Sequence, residues 1–190
     1  MNGTSPRFLG IFPLIIALLT ALACPAIAED IKTLIKDAEG GNPEAQAAIG
    51  YLYSEGIDVP LDYVEAVKWF RMAAEQGNAK AQYNLGVSYA NGQGVPQDYA
   101  EAGKWYLKSA EQGNTYAQYN LGVSYINGQG VIQNYLLAYF WCSLSASRST
   151  GNDYDMRVKS RDRAARTLTP EQLMRVQQMT REWEENHPRN

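Results

Sequence analysis

Apolar side chains recur along this chain at helical spacing, interrupted by short polar turns. Ala81, Leu85 and Tyr89 stand four residues apart, so they share one face of an amphipathic helix. Asn78 ahead of them can cap that helix, and Gly92, Gly94 and Pro96 behind them break it. A second helix is predicted from Asp98, whose carboxylate can accept the amide three residues on, with Glu101 completing a capping-box pattern. Ala102, Trp105, Tyr106 and Ala110 fall on one side of it, and Gly113 ends it. Neither helix could bury its apolar face alone.

This helix-loop-helix unit is written three times. In register, Asn42, Asn78 and Asn114 coincide, as do Gly50, Gly86 and Gly122, Tyr53, Tyr89 and Tyr125, and Trp69, Trp105 and Trp141, a period of 36 residues. Self-similarity at such a period predicts stacked repeats. The chain divides into a half-repeat at 29–41, where Leu34 and Ala38 fall under Phe70 and Ala74, then repeat 1 (42–77), repeat 2 (78–113), repeat 3 (114–151) and a capping segment (152–190). The fold class predicted is all-α.

Repeat 3 drifts after Asn134. Its second helix reads LLAYFWCSLSA, with Phe140 where the other repeats carry the exposed Lys68 and Lys104. That extra apolar surface needs a cover, and the tail can supply one. Asp153 to Leu168 reads as one helix with Tyr154, Val158, Ala165 and Leu168 on a face, and Thr169-Pro170-Glu171-Gln172 opens another carrying Leu173, Val176 and Trp183. A solenoid requires a terminal cap for solubility.

The run AQYNLGVSYANGQGVPQDYAEAGKWYLKSAEQG, Ala81 to Gly113, resembles the Sel-one-like repeat (SLR) family, 36-residue relatives of tetratricopeptide repeats. The likeness covers Asn42 to about Ser149, and the Leu168-to-Gln172 and Arg181-Glu182-Trp183 pieces are similar to the ends of many family members. It implies a right-handed α/α solenoid that holds proteins or peptides rather than turning over a substrate. If the Leu-Gly pair matches that of tetratricopeptide repeats, the concave face is built from first-helix positions around it. Those are Tyr83 and Tyr119, Asn84 and Asn120, Val87 and Val123, Asn91 and Asn127, with Lys80 and Tyr116 above. Asparagine amides donate and accept, so a ladder of them could satisfy an extended peptide backbone while tyrosines supply flat apolar area. The competing reading is that Tyr83 and Tyr119 pack between repeats. Secreted cysteine-rich relatives suggest an alternative, a cell-wall-related hydrolase or β-lactam-binding protein. They staple each repeat with a cysteine pair, which this chain lacks.

Composition narrows the function classes further. The chain has 190 residues, 45% apolar and 19% charged, with a formal charge of −3. That is a globular composition without the basic face a nucleic-acid binder needs, so no nucleic-acid partner is expected. The charge is uneven: residues 29–147 carry 7 basic and 13 acidic groups, residues 148–190 carry 9 and 7. Arg157, Lys159, Arg161, Arg163 and Arg166 form the one basic cluster, read as a solvated cap helix or as a docking surface for an anionic partner.

Residues 1–28 read as an export signal, with Arg7 before the apolar run Phe8–Leu22 and small residues at Ala26 and Ala28. Cleavage after Ala28 would leave a periplasmic or secreted chain starting at Glu29 with no stable membrane span. An uncleaved anchor and acylation at Cys24 are the competing readings. Cys142 then remains the sole thiol, at the position of Phe70 and Tyr106, so no internal disulfide is available and packing must hold the fold.

No catalytic constellation emerges. His187, the only histidine, lies in a charged tail without ligands at metal spacing. Gly92-Gln93-Gly94 and Gly128-Gln129-Gly130 recur at the repeat period and lack the lysine of a phosphate loop, so they are turns. A non-enzymatic protein without cofactor or metal is expected, with a protein or peptide as partner.

Overall fold

The computed structural model describes residues 25–188, with side chains from residue 31 onward. Up to residue 24 the expected export signal lies outside the described residues. Within them there are nine α-helices and no strand: α1 Pro25–Glu39, α2 Pro43–Glu55, α3 Tyr63–Glu75, α4 Ala79–Asn91, α5 Tyr99–Glu111, α6 Thr115–Asn127, α7 Tyr135–Ser147, α8 Gly151–Ala165 and α9 Pro170–Asn186. Each helix packs on its sequence neighbour from α1 through α8, the order of a solenoid, and α9 folds back onto α7.

Local chemistry sets the element ends. Asn42 and Asn78 accept the amides of Ala45 and Ala81 at 2.9 Å, and Asn114 accepts that of Ala117 at 3.0 Å. Each of these first helices stops at a left-handed glycine, Gly56, Gly92 or Gly128. Asp62, Asp98 and Asn134 cap the second helices. The predicted box at Asp98 is only half formed, because the Glu101 carboxylate pairs with Lys104 instead of reaching back to the cap. Glu65 likewise pairs with Lys68, at 2.7 Å.

The two helices of a repeat meet at the glycine that follows Ile49, Leu85 or Leu121. A Cβ added at Gly50 would stand 2.6 Å from the Phe70 ring, and one at Gly86 2.6 Å from the Tyr106 ring. Glycine therefore lets the paired helix approach to ring contact. Between repeats the apolar contact is reinforced by a polar ladder invisible to the apolar pattern. Gln46, Gln82 and Gln118, all buried, donate to the carbonyls of Ala38, Ala74 and Ala110 at 3.1, 3.1 and 3.2 Å. Gln76 and Gln112 in turn donate to Gln46 and Gln82 at 2.7 Å. The next position of that series is Arg148, which turns to the His187 carbonyl, and Gln118 Oε1 is left without a donor.

Two features of the C-terminal end correct the sequence reading. Helix α8 runs Gly151–Ala165, and its inward residues are Arg157 and Ala164, whereas Tyr154 is exposed. Arg157, expected in a solvated basic cluster, is 2% exposed. It lies 36 residues after Leu121, where Ile49, Leu85 and Leu121 form the repeat cores. Helix α8 is thus packed as the first helix of a fourth unit, with a guanidinium in place of the leucine. The cover predicted for α7 is present: Leu173, Val176, Met179 and Trp183 of α9 pack with Phe140, Trp141 and Leu144. A complete Thr169–Gln172 capping box starts α9.

Burial of acids predicts alkaline sensitivity. Burial pushes the Cys142 thiol up to about 12, and the Tyr53 and Tyr106 phenols up to about 12 as well. Their ordinary values are 9.0 and 10.0. Between those values and about 12 the unfolded chain releases these protons while the native chain keeps them, so stability falls as pH rises through that window. The urea midpoint is expected to drop steeply above pH 9, with Cys142 resisting thiol reagents until the chain unfolds. A midpoint independent of pH up to 11 would contradict this account.

Candidate functional site

The ten first-helix residues singled out for the concave face fall into three different environments. Lys80 and Asn84, on α4, line an open cleft of about 260 Å³ with Glu44, Ala47, Ala48 and Tyr51 of α2. This cleft exists because repeat 1 carries Ala47-Ala48 where the later repeats carry Tyr83-Asn84 and Tyr119-Asn120. Two missing side chains leave a trough, walled on one side by the half-exposed Tyr51 ring and flanked by the opposite charges of Glu44 and Lys80.

One repeat further on, the equivalent positions fill each other. The Tyr83 ring lies 6.2 Å from Tyr106 and 5.9 Å from Tyr116, centroid to centroid. The Asn120 side chain lies close to the hydroxyls of both Tyr83 and Tyr106 and eases the ionisation of each. Burial raises the Tyr83 phenol above its ordinary value, the neighbouring Tyr116 adds to the rise, and Arg157 and Asn120 offset part of it. Asn84 and Asn120, equivalent in sequence, therefore differ in surroundings: Asn84 lines a trough floored by alanines, and Asn120 lies against two phenols. Tyr119, Asn120 and Val123 also border a smaller cleft of about 210 Å³ against Ala90, Tyr99 and Tyr106.

Arg157 reaches the same cluster from α8. Its guanidinium carbon is 4.9 Å from the Tyr116 ring centre and 5.9 Å from that of Tyr119, a cation–π arrangement. Its donors go to the Ser145 carbonyl at 3.2 Å, to Ser149 and, at 3.4 Å, to Asp153. Helix α8 thus partly covers the concave face at repeat 3. Val87 packs against the core shared by repeats 2 and 3, while Asn91 and Asn127 are exposed at the helix ends and donate to Gln93 and Gln129 at 3.3 and 3.5 Å.

His187 stacks on Trp183 with ring centres 4.0 Å apart, and Arg148 lies over another part of the same indole. Among the described residues no group of three His, Cys, Asp or Glu side chains could hold a metal ion. No described helix is long and apolar enough to cross a membrane.

Comparison with known proteins agrees with this architecture. The profile of the Sel1 repeat matches residues 43–78, 79–114 and 115–149. Among solved structures, a Sel1 repeat protein from Oxalobacter formigenes superposes with a TM-score of 0.63 at 37% identity, covering 74% of this chain and 57% of that one. A protective antigen present in uropathogenic Escherichia coli strains, displaying an SLR fold, superposes with a TM-score of 0.59 at 28% identity over 92% of this chain and 44% of its own. The present chain therefore spans less than two thirds of either relative. No curated protein matches the sequence.

Proposed function

This chain belongs to the Sel1 repeat family, and from that premise we propose that it is a protein- or peptide-binding scaffold whose partner lies in the concave trough between repeats 1 and 2. The observation that carries the proposal is the trough itself, about 260 Å³ of open space at Lys80 and Asn84, made by the Ala47-Ala48 departure from the repeat pattern. It offers a flat ring at Tyr51, an amide at Asn84 and one charge of each sign at Glu44 and Lys80. That combination suits an extended segment carrying a side chain that enters above the alanines. The site holds its partner; it converts nothing.

A photo-crosslinking residue at Tyr51 should capture a defined partner from the native envelope, whereas the same residue at the exposed Lys104 should not. Asn84→Ala is the clean companion, because Asn84 lines the trough, whereas Asn120 lies against the Tyr83 and Tyr106 phenols and its loss would perturb their surroundings. One lost peptide hydrogen bond should weaken capture by about two- to tenfold at unchanged melting temperature. Equal capture from Tyr51 and Lys104, or full capture by a folded Asn84→Ala protein, would remove the trough from the proposal.

The scaffold is proposed to act after export, on the strength of the apolar run and the Ala26-Ile27-Ala28 site. Intact mass of the protein recovered from fractionated cells should correspond to a chain starting at Glu29. A chain retaining Met1, or lipid attached at Cys24, would overturn this part.

A further inference from the structure

The trough between repeats 1 and 2 has a filled counterpart one repeat later, and the chain itself fills it. Ala47 stands 36 residues before Tyr83, Phe70 before Tyr106, Lys80 before Tyr116 and Asn84 before Asn120. In the counterpart the half-buried Tyr83 ring lies 5.9 Å from Tyr116 and 6.2 Å from Tyr106, with the Asn120 side chain close to its hydroxyl. Repeat 1 keeps the surroundings of that ring without the ring. Lys80 and Asn84 line the trough, and Phe70 belongs to the same buried cluster as Ala47.

The lining restricts what can enter. Glu44 and Lys80 stand on the rim, so an acidic side chain would meet the first and a basic one the second, and a neutral group is favoured. The exposed Lys80 takes the place of the Tyr116 ring, and an ammonium is attracted to the face of an aromatic ring. The Asn84 amide both donates and accepts, so it is matched by a hydroxyl at the far end of that ring and wasted on an aliphatic side chain. About 260 Å³, just under the usual range for small-ligand pockets, suits one ring rather than a whole segment.

We propose that the trough selects a tyrosine. An extended segment of a second protein lays a tyrosyl ring above Ala47-Ala48, its face toward Lys80 and its hydroxyl on the Asn84 amide, in the position that Tyr83 holds one repeat later. This rests on the trough being the partner site.

The probe is N-acetyltyrosinamide, titrated into the full chain and followed by amide chemical shifts, beside N-acetylphenylalaninamide and N-acetylalaninamide. Saturable shifts confined to α2 and α4 are expected at millimolar tyrosine amide. The phenylalanine amide should bind about two- to tenfold more weakly, for one lost hydrogen bond, and the alanine amide should not saturate. Asn84→Ala should make the two aromatic amides equal. Ala47→Tyr, which restores the repeat's own ring, should abolish binding at an unchanged or higher melting temperature. Should that variant not fold, the ranking of the three amides on the wild-type chain decides. Equal binding of the two aromatic amides by the wild-type chain, undiminished binding by folded Ala47→Tyr, or no saturable shifts in α2 and α4 would overturn the tyrosine. Crosslinking at Tyr51 separates this from the broader reading: a partner still captured there by Ala47→Tyr leaves the trough as the partner site and removes the tyrosine, whereas no capture by the wild-type background removes the trough itself.

Discussion

Gly94→Ala is expected to destabilise the chain by about 2–5 kcal/mol, combining about 1–2 for a side chain held in the left-handed region with about 1–3 for a steric clash. Gly94 has φ 73°, and a Cβ there would overlap the carbonyl of Tyr63 at the start of α3, in the preceding repeat. The obstacle is backbone at a helix start, so it cannot swing aside like a side-chain tip. Gly130 meets the Tyr99 carbonyl in the same way one repeat later, which makes the second glycine of each Gly-Gln-Gly turn a wedge that sets repeat-to-repeat spacing. Gly77 provides the control: its φ is 93°, yet nothing lies within 4 Å of an added Cβ. Gly77→Ala should therefore show only the conformational part, about 1–2 kcal/mol. Guanidinium denaturation of the two variants separates these contributions. Because solenoid repeats are coupled through their interfaces, Gly94→Ala should also broaden the transition as repeat 1 uncouples. Equal losses at Gly77 and Gly94 would show that the turn is not wedged.

Most of the fold was legible in the sequence because a period repeats its physical requirements. Each capping Asn, the glycine of each Ile-Gly or Leu-Gly pair and the glycine that ends each first helix return at the same offset, so a reading of one unit serves for three. The cover over α7 was legible for the opposite reason: Phe140 breaks the period by placing a ring where Lys68 and Lys104 are exposed, and an exposed ring demands a partner. Arg157 was not legible from its neighbourhood. Charged side chains are almost never fully buried unless paired, and five basic residues within Arg157–Arg166 read as a solvated face. Only extending the register past Leu121 reveals that Arg157 falls on a core position. The buried glutamines escaped because an apolar pattern gives no weight to a polar residue, although Gln46, Gln82 and Gln118 recur as faithfully as the leucines. The candidate site was legible only in part. Asn84 and Asn120 share a sequence context, and what separates them lies in other helices: alanines on α2 open space beside one, and Tyr83, Tyr106 and Arg157 occupy the space beside the other.

Arg157→Ala is expected to cost about 3–5 kcal/mol, the range for emptying a large buried site or removing one member of a buried charged network. The substitution deletes the bonds to the Ser145 carbonyl and to Ser149 together with the cation–π contacts to Tyr116 and Tyr119. The loss should be local first. Hydrogen exchange ought to accelerate in α8 while α2 to α5 keep their protection, since α8 packs on α7 and α6 and not on the earlier repeats. Tyr119, and the part of the half-exposed Tyr116 ring that Arg157 covers, would then face solvent, extending the open concave face beyond repeat 2. Arg157→Leu separates packing from polar anchoring, because leucine is the residue at this offset in repeats 2 and 3. A buried ionic group replaced by a well-packed apolar one is often neutral or stabilising, and here the guanidinium keeps an Nε with no hydrogen-bond partner. If packing dominates, Arg157→Leu should recover most of the stability that Arg157→Ala loses. If both variants lose equally, the hydrogen bonds to the end of α7 hold α8 in place. Wild-type exchange protection of α8 in Arg157→Ala would refute the anchor altogether, because a helix that tolerates an emptied core position is not held by it.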